Sequence, residues 1–359
     1  MSADKLKATN VVEIQSMSKR PRPTLKAIAK QLGVSVTTVS RVINGKAEAY
    51  GISKKTEAAV LRAARALHFS PDPLARGLRL NTTLTIGLLI PDIANPYFAE
   101  IAKNVEMAAR RSGYSVILCD SQEDTNLEID SISLLRDRKV DGLILAPVGQ
   151  SARHLQEFED DRLPVVVIDR YFPDRRLPYV VSDNYGGALQ ATRYFAEHGH
   201  RTVACVQGLT GTSPTTERVR GYQAALEQHG LTTDESLVVG SSFSEENGYV
   251  HANLLLKTRR DLTAILALSN LIALGILRAL AEDGRRVPQD VSIICFDDQP
   301  YCAYLNTPLT TVDQDNAQMG QIATRLLLEQ IQAPRPSAGE GIVLPTRLVE
   351  RASVRHLAR

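Results

Sequence analysis

The spacing of apolar residues along the chain changes once, near residue 82. Before that point, apolar positions recur every three or four residues, the spacing typical of short amphipathic helices. After it, short continuous apolar runs alternate with segments of helical spacing. The pattern therefore predicts a small all-α domain followed by a larger α/β region.

Residues 24–45 predict two short helices joined by a tight turn. The first helix ends at Gly33, because glycine readily adopts the left-handed conformation of a helix stop. Ser35 is a good N-cap for the second helix. Such a pair forms a helix-turn-helix, whose second helix enters the major groove of DNA. The inward-facing positions are Leu25, Ile28, Ala29, Leu32, Val39, Val42 and Ile43.

The outward face of the second helix has chemistry suited to DNA. It offers hydroxyls, an amide, one guanidinium and small apolar groups, and it has no carboxylate to repel phosphate. An ordinary helical hairpin is the alternative for this stretch taken alone. With the two cap positions included, the candidate DNA-binding residues are Thr24, Ser35, Val36, Thr37, Thr38, Ser40, Arg41 and Asn44.

A third helix completes the head at residues 23–69. The loop Lys46–Gly51 shows no periodicity, and Ser53 then caps a helix whose apolar face is directed inward. The preceding residues 1–22 are polar and mixed in charge, so we expect an N-terminal extension that is disordered. Translation from Met17 is an open alternative.

Residues 70–82 predict a linker with two alternative roles. Pro73 suits the first turn of a short helix that carries Leu78 and Arg79. The segment is either a flexible tether or a hinge helix that folds on DNA, with Leu78 inserted into a minor-groove step. So short a helix is marginal alone in water, and the residues by themselves favour the tether.

The region after Thr83 predicts two successive doubly wound parallel sheets. Its strands are apolar throughout, which is typical of parallel sheets covered by helices on both faces. The series includes a helix at Arg218–Gln228 and a strand at 236–242. Ligands bind outside the carboxyl ends of such strands, so two facing sheets would form a cleft lined by residues that follow strands.

The residues that follow the predicted strands mix carboxylates, amides, arginines and aromatic rings. Ionised oxygens accept hydrogen bonds from hydroxyls and aromatic faces cover the apolar side of a ring, so the set suits a polyhydroxylated small molecule. For each acid, the alternative is a helix N-cap or a solvated loop residue. The strand-end set is Asp92, Asn95, Tyr97, Phe98, Asp120, Asp169, Arg170, Asp183, Asn184, Arg218, Phe243, Ser269, Asn270, Asp297 and Asp298.

The distribution of charge makes DNA binding more plausible than the net charge of +2 indicates. Residues 1–80 hold 15 lysines and arginines against 5 aspartates and glutamates, and the remainder holds 27 against 35. A basic head on an acidic body is typical of a nucleic-acid-binding module attached to a separate domain. With no membrane-length apolar run and no signal-peptide core, the sequence predicts a cytoplasmic protein without membrane contact.

Catalytic and metal-binding motifs are missing from the sequence. We find no GxSxG, P-loop or HExxH motif, and the four cysteines, without CxxC spacing, are expected to be buried structural thiols. His198 and His200 flank Gly199, a pattern that predicts a helix stop rather than a metal site. We therefore expect neither an enzyme nor a cofactor or metal.

A sugar-binding receptor without DNA activity is the alternative to a DNA-binding regulator, and the basic head disfavours it.

Several motifs occur in a characteristic order along the chain: TLKAIAKQLGVSVTTVSRVING, ALHFSPDPLARGLR, TIGLLIPDIANPYFAEI, DN..GA, EHGHR, RVRGY, RVPQDVSIICFDD and PLTTVDQ. Together they resemble the lactose-repressor (LacI) family of bacterial transcription regulators, over Thr24 to about Val354. This resemblance implies a periplasmic-binding-protein-like core of two subdomains joined by three crossings, near Asp183, Asp313 and Leu344. Subdomain one would span about 83–183 plus 314–343, and subdomain two about 184–313 plus 344–359.

The resemblance also implies a function, a nucleoid-associated repressor that binds pseudo-palindromic operator DNA as a homodimer. Its DNA affinity would be controlled by a small effector, expected to be a sugar or sugar derivative. Val36, Thr37 and Arg41 fall at base-reading positions, and Leu78 falls at the minor-groove leucine, which now favours the hinge helix. The effector-binding candidates are Tyr97, Phe98, Asp169, Arg218, Phe243, Ser269, Asn270 and Asp297.

The chain departs from the family pattern at four places. The loop Lys46–Gly51 is about three residues longer than usual, and Asn270 stands where aspartate is commoner. Thr212 and Ser213 occupy a segment where purine-responsive members carry an arginine, which argues against a purine effector. The tail after Val354 lacks the leucine heptads of a tetramer, so a dimer is expected.

Overall fold

A computed structural model of the chain describes residues 24–67, 69, 82–156, 163–174, 176–332 and 341–357. The chain divides into two compact units, the first ending at Asn81 and the second beginning at Thr82. Leu78 and Arg79 of the predicted hinge helix, and the predicted N-terminal extension, lie outside the described residues.

In its described residues, the first unit contains three α-helices, α1 (Leu25–Leu32), α2 (Val36–Ile43) and α3 (Lys54–Ala66). A hydroxyl side chain caps the start of each helix and accepts a hydrogen bond from the backbone N–H three residues further along the chain. The three caps are Thr24, Ser35 and Ser53. Gly33 ends α1 with a φ of +64°. The predicted helix-turn-helix is confirmed, with a core formed by Ile28, Ala29, Val39, Val42, Ala47, Val60, Ala63 and Ala64.

The second unit contains two six-stranded sheets, and the first of them is entirely parallel. Its strands are β1 (Thr85–Ile90), β2 (Ser115–Asp120), β3 (Gly142–Leu145), β4 (Val165–Ile168), β5 (Tyr179–Ser182) and β11 (Gly341–Leu344), in the order β11-β5-β4-β3-β1-β2. Helices α4 (Pro96–Arg111) and α10 (Asn316–Gln332) share a core with one face, and α5 (Thr125–Asp137) packs on the other.

The second sheet is parallel except for its last strand. It is built from β6 (Val203–Val206), β7 (Val238–Val239), β8 (Ala264–Ala267), β9 (Ser292–Phe296), β10 (Thr310–Gln314) and β12 (Thr346–Val349), in the order β12-β10-β9-β8-β6-β7. Helices α6 (Asn184–Glu197) and α7 (Ser213–Gln228) pack on one face, and α8 (Glu245–Thr258) and α9 (Asn270–Glu282) on the other.

The chain passes between the two sheets three times. It leaves the first sheet after β5, returns after β10 and crosses again at Pro345, between β11 and β12. The last crossing is a single residue between the facing carboxyl ends of the sheets, so β12 enters the second sheet in the reverse direction. This explains why β12 pairs antiparallel with β10, against the expectation of wholly parallel sheets.

Two predicted elements have different bounds in the structure. The helix expected at Arg218–Gln228 begins one turn earlier, at Ser213, because Pro214 occupies its first turn, where proline is tolerated. The strand expected at 236–242 is reduced to Val238–Val239, since this edge strand has a partner on one side only. The stop after α6 is as predicted, with His198 at the C-cap and Gly199 at a φ of +86°.

All four cysteines lie within the described residues. Cys205, Cys295 and Cys302 are buried, Cys119 is half-buried, and all four are free thiols. Within the described ranges, no helix combines the length and apolar character needed to cross a bilayer.

Candidate functional sites

The outward face of α2 is the first candidate site. Thr37 and Arg41 are exposed, and Val36 retains 40% of its accessible surface. The unit is strongly basic, with eight lysines and arginines against two glutamates in residues 24–67. Such a surface attracts the phosphates of DNA and leaves short side chains free to reach base edges.

The remaining candidate residues of this face already have partners within the head. Thr24 and Ser35 are helix caps, and the Ser35 and Thr38 hydroxyls lie 2.8 Å apart. The Asn44 amide donates to the Ser40 carbonyl oxygen at 2.5 Å. These four hydrogen-bonded groups therefore stabilise the ends of the helices, and Val36, Thr37 and Arg41 are the exposed residues of α2 that remain to meet DNA.

The second candidate site is a cavity of about 240 Å³ between the two sheets of the second unit. Residues from the carboxyl ends of strands in both sheets line it, as expected for doubly wound sheets. The lining residues are Asp92, Asn95, Tyr97, Phe98, Glu123, Asp169, Arg170, Pro214, Arg218, Ser242, Phe243, Ser244, Ser269, Leu271, Asp297 and Gln314.

Two aspartates occupy matching places in the cavity. Asp169 follows β4 and Asp297 follows β9, and both have left-handed backbones, with φ of +63° and +73°. Few non-glycine residues adopt this region, although aspartate is among those that tolerate it best. Such backbone strain is concentrated at functional sites, where the surrounding structure holds the side chain in place.

Each aspartate is buried but has donors that favour its ionised form. Tyr97 Oη donates to Asp169 Oδ1 at 2.7 Å. Gln314 Nε2 donates to Asp297 Oδ1 at 2.5 Å and the Asn270 N–H donates to Oδ2 at 3.1 Å. Burial raises the pKa of both carboxyls, while nearby Arg170 and Arg218 oppose that shift. A hydrogen-bond donor on a ligand would offset part of the free energy that these carboxylates lose by being removed from water.

The two arginines of the cavity are held by polar partners. Arg170 makes two hydrogen bonds to Glu123, at 2.8 and 2.6 Å, and is 4% exposed. Arg218 donates to Asn184 Oδ1 at 2.7 Å and to the Leu268 carbonyl at 2.5 Å. Both guanidinium groups are therefore fixed in position before any ligand arrives.

Aromatic rings form the apolar part of the lining. Tyr97 and Phe98, from the start of α4, meet edge to face with centroids 4.9 Å apart. Phe243 approaches from the other sheet and lies against Gly208, where an added Cβ would come within 2.1 Å of its ring. A side chain at residue 208 would displace Phe243 from the cavity.

Among the described residues, three hydrogen bonds join the two halves of the second unit around the cavity. The Asn270 amide donates to Asn95 Oδ1 at 3.0 Å, and Gln150 Nε2 donates to the Thr210 carbonyl at 2.5 Å. The third runs from the Tyr171 N–H to Ser213 Oγ at 3.0 Å. Hydrogen bonds donated by Asn270, Gln150 and Tyr171 thus connect the two halves across the cleft.

The structure brings seven of the eight predicted effector-binding residues into one lining. Asn270 is the exception, because its side chain reaches across the cleft to Asn95 and is not part of the lining. Three strand-end acids lie elsewhere: Asp183 caps α6, Asp298 pairs with Arg351, and Asp120 accepts from backbone N–H groups. For these three, the alternative of a structural role describes what the structure shows.

Sequence reasoning missed some lining residues. Gln314 is the last residue of β10, so the position of a residue at a strand end is the signal that points to it. Glu123 lies in a turn and carries no local signal, because only its ion pair with Arg170 brings it to the cavity. Arg170 was included among the strand-end residues but not among the proposed effector contacts.

Comparison with known proteins identifies the family. A model described as bacterial regulatory proteins, lacI family, matches residues 24–72, and a periplasmic binding protein-like domain matches residues 192–354. The chain is 36% identical over 333 residues to the HTH-type transcriptional repressor PurR of Edwardsiella ictaluri, covering 92% of this chain and 96% of that protein. The chain belongs to the lacI family of bacterial regulatory proteins. The predicted family, fold class and regulatory function are confirmed.

Other relatives of this lacI-family chain extend the comparison. The ribose operon repressor of Halalkalibacterium halodurans is 36% identical over 332 residues, covering 92% of this chain and 97% of that one. The transcriptional regulator CelR in complex with cellobiose is 32% identical with a TM-score of 0.71, covering 92% and 100%. A LacI family regulator from Enterococcus faecium with bound ribose is 30% identical with a TM-score of 0.68, covering 76% and 100%.

The lac repressor dimer bound to operator and the anti-inducer ONPF has the same fold, with a TM-score of 0.82. It is 24% identical, and the match covers 93% of this lacI-family chain and 99% of the lac repressor chain.

In the described residues, no group of three or more histidine, cysteine, aspartate or glutamate side chains is arranged to hold a metal ion.

Proposed function

We propose that this lacI-family chain is a homodimeric repressor whose affinity for operator DNA is set by an uncharged sugar bound in the cleft. One observation carries the proposal: a cavity lined by paired carboxylates, amides and aromatic rings, in a chain whose other unit is a helix-turn-helix. The close relatives named above are repressors, which supports the regulatory half of this proposal.

The DNA-binding step follows from the head. In a two-fold dimer, two copies of α2 enter successive major grooves of a pseudo-palindromic operator. Val36, Thr37 and Arg41 read base edges there, and the basic side chains of the head contribute the salt-dependent phosphate contacts. Leu78 and Arg79, outside the described residues, would act at the minor groove between the half-sites.

The chemistry of the lining favours a neutral, hydroxyl-rich effector. Among the described residues, four carboxylate side chains line the cavity against two guanidinium groups, and both guanidinium groups are engaged with partners of their own. An anionic ligand would be repelled, whereas sugar hydroxyls can donate to Asp169 and Asp297. Phe98 and Phe243 offer apolar faces for the ring of such a sugar. Relatives with cellobiose and with ribose bound support this class.

The coupling between effector and DNA is proposed to act through closure of the cleft. A sugar that contacts both halves favours the closed arrangement over an open one, and only such differential binding can shift the equilibrium. The shift changes the angle between the halves and so the spacing of the two hinge segments. Because coupling is reciprocal, operator DNA must change the affinity for the sugar by the same factor.

The dimer is supported by exposed apolar side chains on both halves of the second unit. Leu127 and Leu134 on α5, and Val250 and Leu254 on α8, are 38–48% exposed. Exposed apolar side chains mark interaction sites when they adjoin one another in a large surface patch.

As a regulator of this kind, the chain is proposed to carry out no catalysis and to act in the cytoplasm at the nucleoid.

A DNA-binding titration of the full chain on its own promoter region, with and without each of a panel of sugars, tests the proposal. We expect binding at nanomolar concentration and a shift in affinity with one neutral sugar, together with a rise in melting temperature for that sugar. Matched sugar phosphates are the control and should act weakly or not at all. Absence of promoter binding would refute the repressor, and a response to the phosphates alone would refute the neutral effector.

A further inference from the structure

The loop that follows α2 is fixed to the head. The Lys46 N–H donates to the Arg41 carbonyl at 2.9 Å, and the Ile52 N–H donates to the Ala47 carbonyl at 2.9 Å. Ala47 is 2% exposed, so it anchors the loop in the core. A single 3₁₀ turn, Glu48–Tyr50, then ends at Gly51 with a φ of +64°. The loop Lys46–Gly51 therefore holds its side chains at defined positions.

This fixed loop places an aromatic ring beside the arginine of the DNA-facing helix. The Arg41 Cζ lies over the Tyr50 ring, 3.8 Å from its centroid. Tyr50 is 52% exposed, and Arg41 is also exposed. The contact is a cation–π stack on the surface that the proposed function assigns to DNA.

A stack of this kind leaves the useful part of the guanidinium free. The aromatic ring occupies one flat face, while the N–H donors point outward in the plane of the group. Those in-plane donors are the ones that make paired hydrogen bonds to guanine in the major groove. The ring also limits the rotamers of a long, flexible side chain, so less freedom is lost when Arg41 binds.

We propose that Tyr50 is a positioning residue that holds Arg41 in the orientation needed to read the operator. The inference rests on the proposed function, because it assumes that Arg41 contacts bases. It assigns a role in specificity to a loop about three residues longer than the family pattern. Removal of the ring then weakens operator binding only as long as Arg41 is present.

The test is a double-mutant cycle in the full chain, measured as dissociation constants on the promoter operator and on its single-base variants. We expect Tyr50→Ala to weaken binding about two- to fivefold per half-site, the size of one exposed cation–π contact, and to relax preference at the base pair affected by Arg41→Ala. Tyr50→Phe keeps the ring and should bind like wild type. Tyr50→Leu keeps apolar bulk without the aromatic face and should behave like Tyr50→Ala.

The cycle separates positioning from other roles. In the Arg41→Ala background, Tyr50→Ala should have no further effect, whereas with Thr37→Ala, a substitution on the same helix, the effects should add. Additive effects with Arg41→Ala would overturn the proposal. So would tighter binding by Tyr50→Ala, which would mean that the ring withholds Arg41, or weak binding by Tyr50→Phe, which would point to a hydroxyl–phosphate contact.

Two measurements keep the outcome interpretable. Circular dichroism melts check that the variants remain folded, and Tyr50→Leu provides the second variant if Tyr50→Ala loses the head. If wild type fails to bind the promoter, the proposed function fails. If wild type binds and Arg41→Ala alters base preference while both Tyr50→Ala and Tyr50→Leu do not, only the present inference fails.

Discussion

Helix α2 of the head and the cleft of the second unit hold their candidate functional side chains in opposite ways. On α2, Thr37 and Arg41 are exposed and come from one turn of one helix. In the cleft, Asp169 and Asp297 are 6% and 5% exposed and come from strands more than a hundred residues apart. The difference indicates that the head meets a large, hydrated partner, whereas the cleft encloses a small one.

The two sites also differ in the cost of their charges. The basic groups of the head remain in water, so their interactions with DNA weaken as salt rises. The carboxylates of the cleft are desolvated and depend on fixed donors such as Tyr97 and Gln314. Substitutions of these carboxylates should therefore change the effector response sharply while DNA binding without effector is retained, and substitutions of the exposed residues on α2 should do the reverse.

The largest expected effect is at Asp297. Asp297→Ala removes a carboxylate that accepts hydrogen bonds from the effector. Hydrogen bonds to a charged group are worth about 1.5–3 kcal/mol each, so the loss of two should weaken sugar binding roughly a hundredfold or more. Calorimetry and promoter titration measure this. Asp298→Ala is the matched control, because Asp298 pairs with Arg351 away from the cavity. A variant Asp297→Ala that still responds to the sugar would remove Asp297 from the site.

The next effect in size is on the head. Arg41→Ala should cost about 1–3 kcal/mol at the operator and relax the base preference at one position of each half-site. Arg62→Ala, on the exposed surface of α3, is the control and should reduce affinity for all sequences equally or leave it unchanged. Sugar binding should be unaltered in both. An unchanged base preference in Arg41→Ala would contradict its reading role.

A smaller effect is expected at the rim of the cleft. Gln150→Ala removes the hydrogen bond to the Thr210 carbonyl, worth about 0.5–1.5 kcal/mol, so effector affinity should fall about two- to tenfold. Gln228→Ala, at the exposed end of α7, is the matched control. Equal sugar affinity in both variants would mean that the hydrogen bond does not favour the closed cleft.

The smallest effect concerns the stability of the ligand-free protein. Burial raises the pKa of Asp297, so the folded state holds this proton more tightly than the unfolded chain does. The contribution of this group to the free energy of unfolding therefore falls as the pH rises above about 4. The stability of Asp297→Asn relative to wild type should thus be higher at pH 7 than at pH 4.

An aspartate with the opposite shift supplies the comparison for that pH dependence. Hydrogen bonds from Arg286 lower the pKa of Asp290 to about 2. Its contribution is present above about pH 4 and is lost as the pH falls toward 2, so Asp290→Asn should lose more stability at pH 7 than at pH 2. Urea unfolding across this range measures both variants. The same sign for the two would contradict the assignment of burial as the dominant cause at Asp297.

The head was predictable in detail because its signals are local. Ser35, Gly33 and the apolar stripe lie within a few residues of one another, and capping and periodicity act over that distance. The stack of Arg41 on Tyr50 was not predicted, since the loop between them shows no periodic pattern. Its geometry depends on the anchoring of Ala47 in the core.

The cleft was predictable only as a set of strand ends. Asp169, Asp183, Asp297 and Asp298 look alike in sequence, yet two line the cavity, one caps a helix and one forms an ion pair. Asn270 likewise follows a strand but bonds across the cleft to Asn95. Which role each residue takes depends on what the opposite sheet presents, and that is a long-range property.

By itself, the sequence determined the two units, the helix-turn-helix, the alternation of strands and helices, and the residues that follow each strand. These depend on periodicity, capping and burial, which act along the chain. The tertiary structure alone decided the antiparallel β12, the pairing of Glu123 with Arg170, and the left-handed backbones of Asp169 and Asp297 in the lining of one cavity. The physical reason is that each of these requires groups distant in sequence to share one space, where packing and charge select among side chains that look equivalent along the chain.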